Sequence, residues 1–529
     1  MKSRILTFYL IFILSFGLLV GRLFWLTVIQ GESNRTKAEE QRVRVRRIVA
    51  PRGIIYDREN RPLVQNLPIY KICDQKKEEC RIISRDQALK LEADNKDADL
   101  VVEIGREYPY GEALAHVLGY LGEATSEEVG SGKREVGSLV GRTGIEEQDD
   151  DLLRGTDGGE LIEVGAVGEI IRTVGKKEPL SGQDLKLSLD LDLQLAAYQA
   201  LEKRGKKAAL VASTPQGEIL ALVSYPSFDP NLMTRAEEQV SNKIEEILDN
   251  PQQPLFNRAI GGVYPPGSTF KIVTATAGLE EGKINDQTQI EDPGEIVIGQ
   301  YHYANWYFTQ YGKTEGVIGL VQAIKRSTDT FFYKVGEFVG AEKLVVWAKK
   351  FGLGEISGID IGGEIEGFLP NPSSGDWFLG NTYHLAIGQG NLGSTPLQVN
   401  NMTAVIASRG KLCPPRIRKT EDGKQKTENC GDLKLKKQTL ELIKEGMKET
   451  CSTGGTAFPF FDFEPQVACK TGTAEFGDPS GRTHAWLTAF APADEPEIVV
   501  TAIVEAGGEG SYVAAPIVKE VMEEWFKND

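Results

Sequence analysis

Histidine is scarce in this 529-residue chain: His116, His302, His384 and His484 lie scattered, and neither His-Glu-x-x-His nor Cys-x-x-Cys occurs. The common zinc spacings are thereby excluded, no metal or cofactor is expected, and each histidine reads as structural. Positive charge is also in deficit. Lysine and arginine total 60 against 76 aspartates and glutamates, a formal net charge of −16, and no basic stripe with interleaved aromatics lies beyond the N-terminus. A nucleic-acid partner is therefore not expected. Cysteine, at six residues, is too sparse for a disulfide scaffold, yet its even number suits an oxidising compartment. Cys73 with Cys80, and Cys413 with Cys430, are local pairs that could close loops. Cys469 directly precedes Lys470 on a predicted strand, so its side chain is expected to point away from that lysine as a buried thiol.

What is present begins with an apolar run. Ile5 to Gly21 contains no charge, and Leu23 to Ile29 continues it past Arg22, whose head group can snorkel. Large apolar residues, Leu23-Phe24-Trp25-Leu26, stand where a cleaved signal would have small ones, which favours an uncleaved anchor. Lys2 and Arg4 favour a cytoplasmic N-terminus, with the bulk of the chain outside the membrane. A basic, helix-prone segment follows from Arg35 to Arg47, and then Arg52 to Leu63 reads as a short strand and a turn. Asp184 to Asp190 alternates as a strand, an amphipathic helix runs through Leu193 toward Leu201, and Ala208 to Val223 reads as strand, turn, strand.

The chemistry centres on Tyr264-Pro265-Pro266-Gly267-Ser268-Thr269-Phe270-Lys271. Two prolines and a glycine cannot continue a strand or helix, and the apolar run Ile272 to Leu279 predicts a buried helix whose first turn carries Ser268. Lys271, nearly one turn on, shares that face, so its amine is expected to reach the serine hydroxyl. This is a nucleophile beside a base. Taken alone, Ser-x-x-Lys is weak, since chance supplies it about once or twice in a chain of this size.

Two later stretches change its weight. Ser327-Thr328-Asp329 and Lys470-Thr471-Gly472-Thr473 follow in the order that characterises penicillin-binding proteins and serine β-lactamases. Further signatures, Arg52-Gly53-Ile54-Ile55-Tyr56-Asp57-Arg58, Arg106-Glu107-Tyr108-Pro109, His116-Val117-Leu118-Gly119-Tyr120, Gly141-Arg142-Thr143-Gly144-Ile145-Glu146 and Leu153-Arg154-Gly155, resemble the pedestal of class B penicillin-binding proteins. In themselves these are charged turns and glycine bends suited to packing. Gly388-Gln389-Gly390 with Thr395-Pro396-Leu397-Gln398 resembles the segment entering a core helix of the same family, and Asp329, where asparagine is commoner, resembles the elongation type.

The resemblance implies an α/β (α+β) fold: an antiparallel sheet flanked by helices, with an N-terminal transmembrane helix and a mainly β pedestal. The implied domains are an anchor over 1–30, a pedestal over 31–180 and a transpeptidase domain over 181–529. The implied activity is that of a serine D-Ala-D-Ala transpeptidase that cross-links peptidoglycan stem peptides during elongation and binds β-lactams covalently. Ser268 would be the nucleophile and Lys271 its base. Ser327 would bridge Lys271 and Lys470 and relay a proton to the leaving amine, and Asp329 would stand beside them. Lys470, Thr471 and Thr473 would hold the substrate carboxylate and Gly472 would let the substrate backbone come close, with backbone N–H groups of Ser268 and Thr473 as the oxyanion hole. Implied partners are a SEDS-family glycan polymerase and other elongation-complex membrane proteins. The alternatives are a division-type transpeptidase, a D,D-carboxypeptidase or β-lactamase-like hydrolase, and a non-catalytic scaffold or β-lactam sensor.

One tension stands out. Lys271 acts as a base only when neutral, and lowering a lysine from about 10.4 to near 7 requires roughly 4–5 kcal/mol against its charged form. Burial, a helix dipole and Lys470 work in that direction, whereas the Asp329 carboxylate works against it.

Overall fold

The structure, a computed structural model, describes residues 2–74, 79–94, 100–131, 134, 137–165, 170–234, 238–419 and 430–527. Its first element is the helix Lys2–Phe24, continued by a π-helical turn over Trp25–Ile29. The apolar stretch Arg4–Ile29 is 26 residues long. At 1.5 Å per residue that is about 39 Å, enough to cross a hydrocarbon layer of about 30 Å. Phe8, Leu14 and Leu18 on this helix are exposed, a surface suited to lipid.

The chain forms two compact units, each assembled from separated segments. One comprises residues 1–53, 66–105 and 151–183; the other comprises 54–65, 106–150 and 184–529. In the first, Val43–Ile48, Gly158–Val164 and Ile170–Lys177 make an antiparallel sheet with Gly158–Val164 central. The basic segment expected to be helical to Arg47 is helical only to Arg42. From Val43 the side chains alternate, and Arg46 pairs with Glu160, its register partner across the sheet, while Arg47 pairs with Asp157. Cross-strand charge pairing thus selects strand over helix there. A second small sheet has Gln65–Asp74 between Glu79–Ile83 and Leu100–Glu107. It sets Cys73 opposite Cys80 in backbone register; the side chains of that predicted pair lie outside the described residues.

The second unit is built on a five-stranded antiparallel sheet in the order Ile219–Tyr225, Ala208–Ser213, Ile498–Val504, Thr483–Ala491, Ala468–Glu475. Period-two alternation separates its faces. Leu210, Ala212, Leu487, Val500 and Ala502 belong to the core shared with the helices Leu191–Glu202 and Ala514–Trp525. On the other face lies Pro396–Ala407, a helix buried along its whole length. Thr395 and Gln398 cap it reciprocally, and Asn400 anchors it to the sheet by accepting from Ser213 Oγ at 2.7 Å and donating to Val211 O at 3.1 Å. The expected strand Asp184–Asp190 is reduced to Leu185–Lys186, which pairs with Ile55–Tyr56. Beyond it, Ser188 Oγ is turned into the structure, donating to Ile219 O at 2.7 Å.

The charged signatures behave as packing elements. Buried Asp57 accepts from Glu59 N, Arg61 N and Arg61 Nε at 2.7–2.9 Å, closing the turn after Ile55–Tyr56. Arg106 and Glu146, both buried, pair at 2.7 Å.

Candidate active site

Ser268 lies in a single 3-10 turn, Gly267–Phe270, that runs into the helix Lys271–Glu280. The turn is held from outside the helix. Gly267 N donates to Gly388 O at 2.9 Å, Trp486 Nε1 donates to Pro265 O at 3.0 Å, and Tyr264 exchanges backbone hydrogen bonds with Ser394. Gly267 has φ +54°, and a β-carbon there would sit 3.0 Å from Thr473 O. Glycine is needed on both counts, conformation and close approach. The result is a half-buried serine at the foot of a cleft, within reach of the strand Ala468–Glu475.

Lys271 is fully buried, and its amine does not turn to Ser268 as the spacing predicts. Nζ donates to Ser327 O at 2.8 Å, Ser327 Oγ at 3.2 Å and Asp329 Oδ1 at 2.6 Å; none of the hydrogen bonds among the described residues joins it to Ser268. Ser327 terminates the helix Leu320–Arg326 in a left-handed conformation, φ +56°, an uncommon backbone for a residue with a side chain. That bend sends both its carbonyl and its hydroxyl toward Lys271. From the other side Lys470 Nζ donates to Ser327 Oγ at 2.8 Å and to Thr471 O at 3.0 Å. One hydroxyl therefore stands between two buried lysine amines.

Burial pushes the Lys271 amine below its ordinary value, and the Asp329 carboxylate opposes that shift without cancelling it. Lys470 is pushed well below its ordinary value, first by burial and then by the charge on Lys271, with Asp329 again opposing. Asp329 itself is held at three points: Oδ1 on Lys271, Oδ2 on Trp306 N at 3.2 Å, and its own N–H on Asn305 Oδ1 at 3.2 Å.

Ala468–Glu475 is the edge strand of the sheet. Its outer side is read from Gln389, whose Nε2 donates to Thr473 O at 3.3 Å. In an antiparallel ladder a residue directs its N–H and C=O to the same side, so the Thr473 N–H also faces outward, toward the cleft. Thr471, Thr473 and Glu475 line the cleft at successive alternate positions, with Ser268, Ser327, Asp329, Trp306, Tyr311, Phe458, Glu509 and Tyr512 around them. The cavity they enclose is about 530 Å³.

Against this geometry the comparisons with known proteins are specific. Residues 207–523 match the penicillin binding protein transpeptidase domain, and residues 75–187 match the penicillin-binding protein dimerisation domain. The peptidoglycan D,D-transpeptidase MrdA of Acinetobacter baumannii is 32% identical, over 96% of this chain and 85% of its own length. The chain belongs to the penicillin-binding protein transpeptidase family. Penicillin-binding protein PBP2 of Helicobacter pylori, solved in complex with MreC, aligns with a TM-score of 0.79 at 28% identity, covering 92% of this chain and 99% of that one. A chain solved in a study of polymerization and crosslinking by a peptidoglycan synthase complex aligns with a TM-score of 0.80 at 30% identity, covering 100% of this chain and 99% of that one.

In this penicillin-binding protein the three motifs converge, with two departures from expectation besides that of Lys271. Gly472 does not face the cleft. A β-carbon there would meet Trp486 Cβ at 2.9 Å, Thr269 Cγ2 at 3.1 Å and Pro266 O at 3.2 Å, so its missing side chain admits the nucleophile turn. Cys469 does point away from Lys470, but it is not a thiol: it forms a disulfide with Cys451. Cys413 and Cys430 are bonded, one of the local pairs expected. The histidines stand apart from the cleft lining. His116 bonds Pro254 O at 2.9 Å, exposed His302 pairs with Glu295, and His484 Nδ1 accepts from Ala506 N at 3.1 Å. His384 is exposed on the helix Leu379–Ala386, and partial desolvation there pushes it below its ordinary value.

Sequence reasoning missed Asn305, Trp306, Gln389 and Glu509. Gln389 was in view only as part of a packing motif. Gly388, Gly390 and Gly393 even reproduce the spacing of a dinucleotide-binding loop, but they follow the helix Leu379–Ala386 rather than a strand, and a β-carbon on Gly388 would lie 2.1 Å from Gly267 O.

Proposed function

We propose that this chain is a membrane-anchored peptidoglycan D,D-transpeptidase of the elongation type. The observation that carries the reading is the Ser327 hydroxyl, held between buried Lys271 and Lys470 in the cleft that Ser268 opens onto. Ser268 Oγ attacks the carbonyl carbon of the penultimate D-Ala of a donor stem peptide. Lys271, neutral, takes the hydroxyl proton, and Asp329 stabilises the ammonium that forms. The oxyanion falls to the backbone N–H groups of Ser268 and Thr473, a contribution of roughly 3–4 kcal/mol for each donor. Thr471 and Thr473 hold the terminal carboxylate by their hydroxyls, with Lys470 supplying the charge behind them.

The peptide C–N bond then breaks. Ser327 passes its proton to the departing amine of the terminal D-Ala and is reprotonated from the lysines that flank it. An amine of a second stem peptide attacks the acyl-Ser268 ester, forming the cross-link and returning the serine hydroxyl. A β-lactam enters as a donor mimic whose ring opens onto Ser268.

In this reading the N-terminus is cytoplasmic and the catalytic unit lies outside, an orientation supported by Lys2 and Arg4 ahead of the apolar stretch and by the Cys413–Cys430 and Cys451–Cys469 bonds, which suit an oxidising compartment. The Helicobacter pylori relative in complex with MreC and the relative from a peptidoglycan synthase complex support protein partners here. The finer proposal is a SEDS-family polymerase engaged through the anchor and residues 31–180, the segment proposed as the pedestal ahead of a transpeptidase domain at 181–529. Intact mass of the protein and of Ser268→Ala, followed for hours after penicillin addition, tests the chemistry. A persistent adduct on the parent alone is expected. No adduct on either overturns the enzymatic reading, and an adduct lost within seconds makes the protein a hydrolase.

A further inference from the structure

Asp292 is a buried carboxylate that the chemistry above leaves idle. It is 3% exposed and ends the short strand Ile290–Asp292. Each of its oxygens accepts two hydrogen bonds from uncharged donors: Oδ1 from Gly294 N at 2.9 Å and Thr330 Oγ1 at 2.7 Å, Oδ2 from Asn305 Nδ2 and Glu315 N, both at 2.9 Å. A carboxylate brought out of water must be compensated, and four donors compensate it without a cation.

Two of those donors, Asn305 and Thr330, flank Asp329. Asn305, itself fully buried, is gripped by Asp292 through its amide nitrogen, and its amide oxygen is thereby directed at Asp329 N. The next residue, Trp306, donates its N–H to Asp329 Oδ2. Thr330, the residue after Asp329, is held by the other oxygen of Asp292. With Oδ2 and the backbone fixed, Oδ1 is the oxygen left to meet Lys271.

We propose that Asp292 and Asn305 are positioning residues that aim the Asp329 carboxylate at Lys271, so that a network outside the three motifs sets the protonation of the base. This rests on the transpeptidase reading. The charged and titratable groups involved are few. Lys271 faces Asp329 and, across the Ser327 hydroxyl, Lys470. Asp329 also bears on Tyr333. Beside Asp292, the Glu315 side chain is occupied by Arg326 at 2.7 Å.

Asp329 favours the charged form of Lys271, so misaiming it lowers the lysine's pKa, and the acid limb of acylation moves to lower pH. The test is the pH dependence of the second-order acylation rate with a fluorescent penicillin, on full-length protein in detergent, for Asp292→Asn, Asp329→Asn and the double variant. Asparagine keeps the shape but cannot accept all four hydrogen bonds. Asp292→Asn is expected to lower the maximal rate roughly tenfold to a hundredfold and to shift the acid limb down by about one pH unit, as Asp329→Asn does. The double variant is expected to show the limb of Asp329→Asn with no further shift. An unmoved limb in folded Asp292→Asn, or shifts that add in the double variant, overturns the proposal. Should Asp292→Asn not fold, Thr330→Val removes one of the four donors and must move the limb the same way; an unmoved limb there also overturns it. Acylation of Ser268→Ala would sink the transpeptidase reading instead, so the two failures are distinguishable.

Discussion

Ser327 shows how much one backbone conformation can do. Its left-handed φ lets carbonyl and hydroxyl reach the same amine, while the hydroxyl meets a second amine from the neighbouring sheet. Ser327→Ala keeps the carbonyl contact and removes the group that both lysines share. It is expected to slow acylation about a hundredfold or more while leaving the thermal midpoint within a few degrees, checked by stopped-flow acylation and calorimetry. That Ser327 matters could be read from Ser-x-Asp in its place between the other motifs. That Lys271 prefers Ser327 and Asp329 to Ser268 could not, because sequence spacing registers only neighbours along one helix. The partners of Lys271 arrive from more than fifty positions downstream, and Asp292 and Asn305 carry no motif at all.

Among the elements, the strand Ala468–Glu475 depends on support from both faces. On one side Gly472 packs over the nucleophile turn; on the other, Cys469 is tied to Cys451 at the end of the helix Lys437–Thr450. The bond closes a loop of 18 residues, for which chain-entropy arguments give about 3 kcal/mol. Replacing both cysteines by serine is expected to lower unfolding free energy by about that amount, read from denaturant titration, and to reduce the acylation rate because the strand bearing Thr471 and Thr473 loosens. An unchanged midpoint would contradict it. Alternation along this strand was legible, and so was the turn of Cys469 away from Lys470. The bond was not, since nothing local brings the helix end to the strand. The same blindness applied to Val43–Ile48, where helical propensity lost to arginines paired across a sheet.

For the molecule as a whole, the order of the chain and the order of assembly differ. The catalytic unit includes residues 54–65 and 106–150, which precede any of its motifs, and buried pairs such as Arg106–Glu146 and the Asp57 turn lie within those segments. A fragment restricted to residues 184–529 is therefore expected to lose cooperative unfolding and penicillin binding, even though it holds Ser268, Lys271, Ser327 and Lys470. Circular dichroism melting and labelling with a fluorescent penicillin would decide; a fragment that melts sharply and labels fully would contradict the expectation. Fold class was visible through the family resemblance that the ordered motifs carry, while periodicity supplied only single strands and helices. The interleaving of segments was not, because each is short and reads alone as a turn.

The open side of Ala468–Glu475 carries one more consequence. A strand whose outward N–H and C=O groups must stay available to a peptide is also available to any other extended chain, including a misfolded copy of itself. Gln389 occupies the carbonyl of Thr473, and Glu475 sets an exposed negative charge near the strand's end. Together they blunt the edge for long hydrophobic strands while leaving a short gap at Thr473. Selectivity for a peptide terminus and resistance to aggregation are thus two readings of the same few outward-facing backbone groups, and a substitution that tidies one disturbs the other.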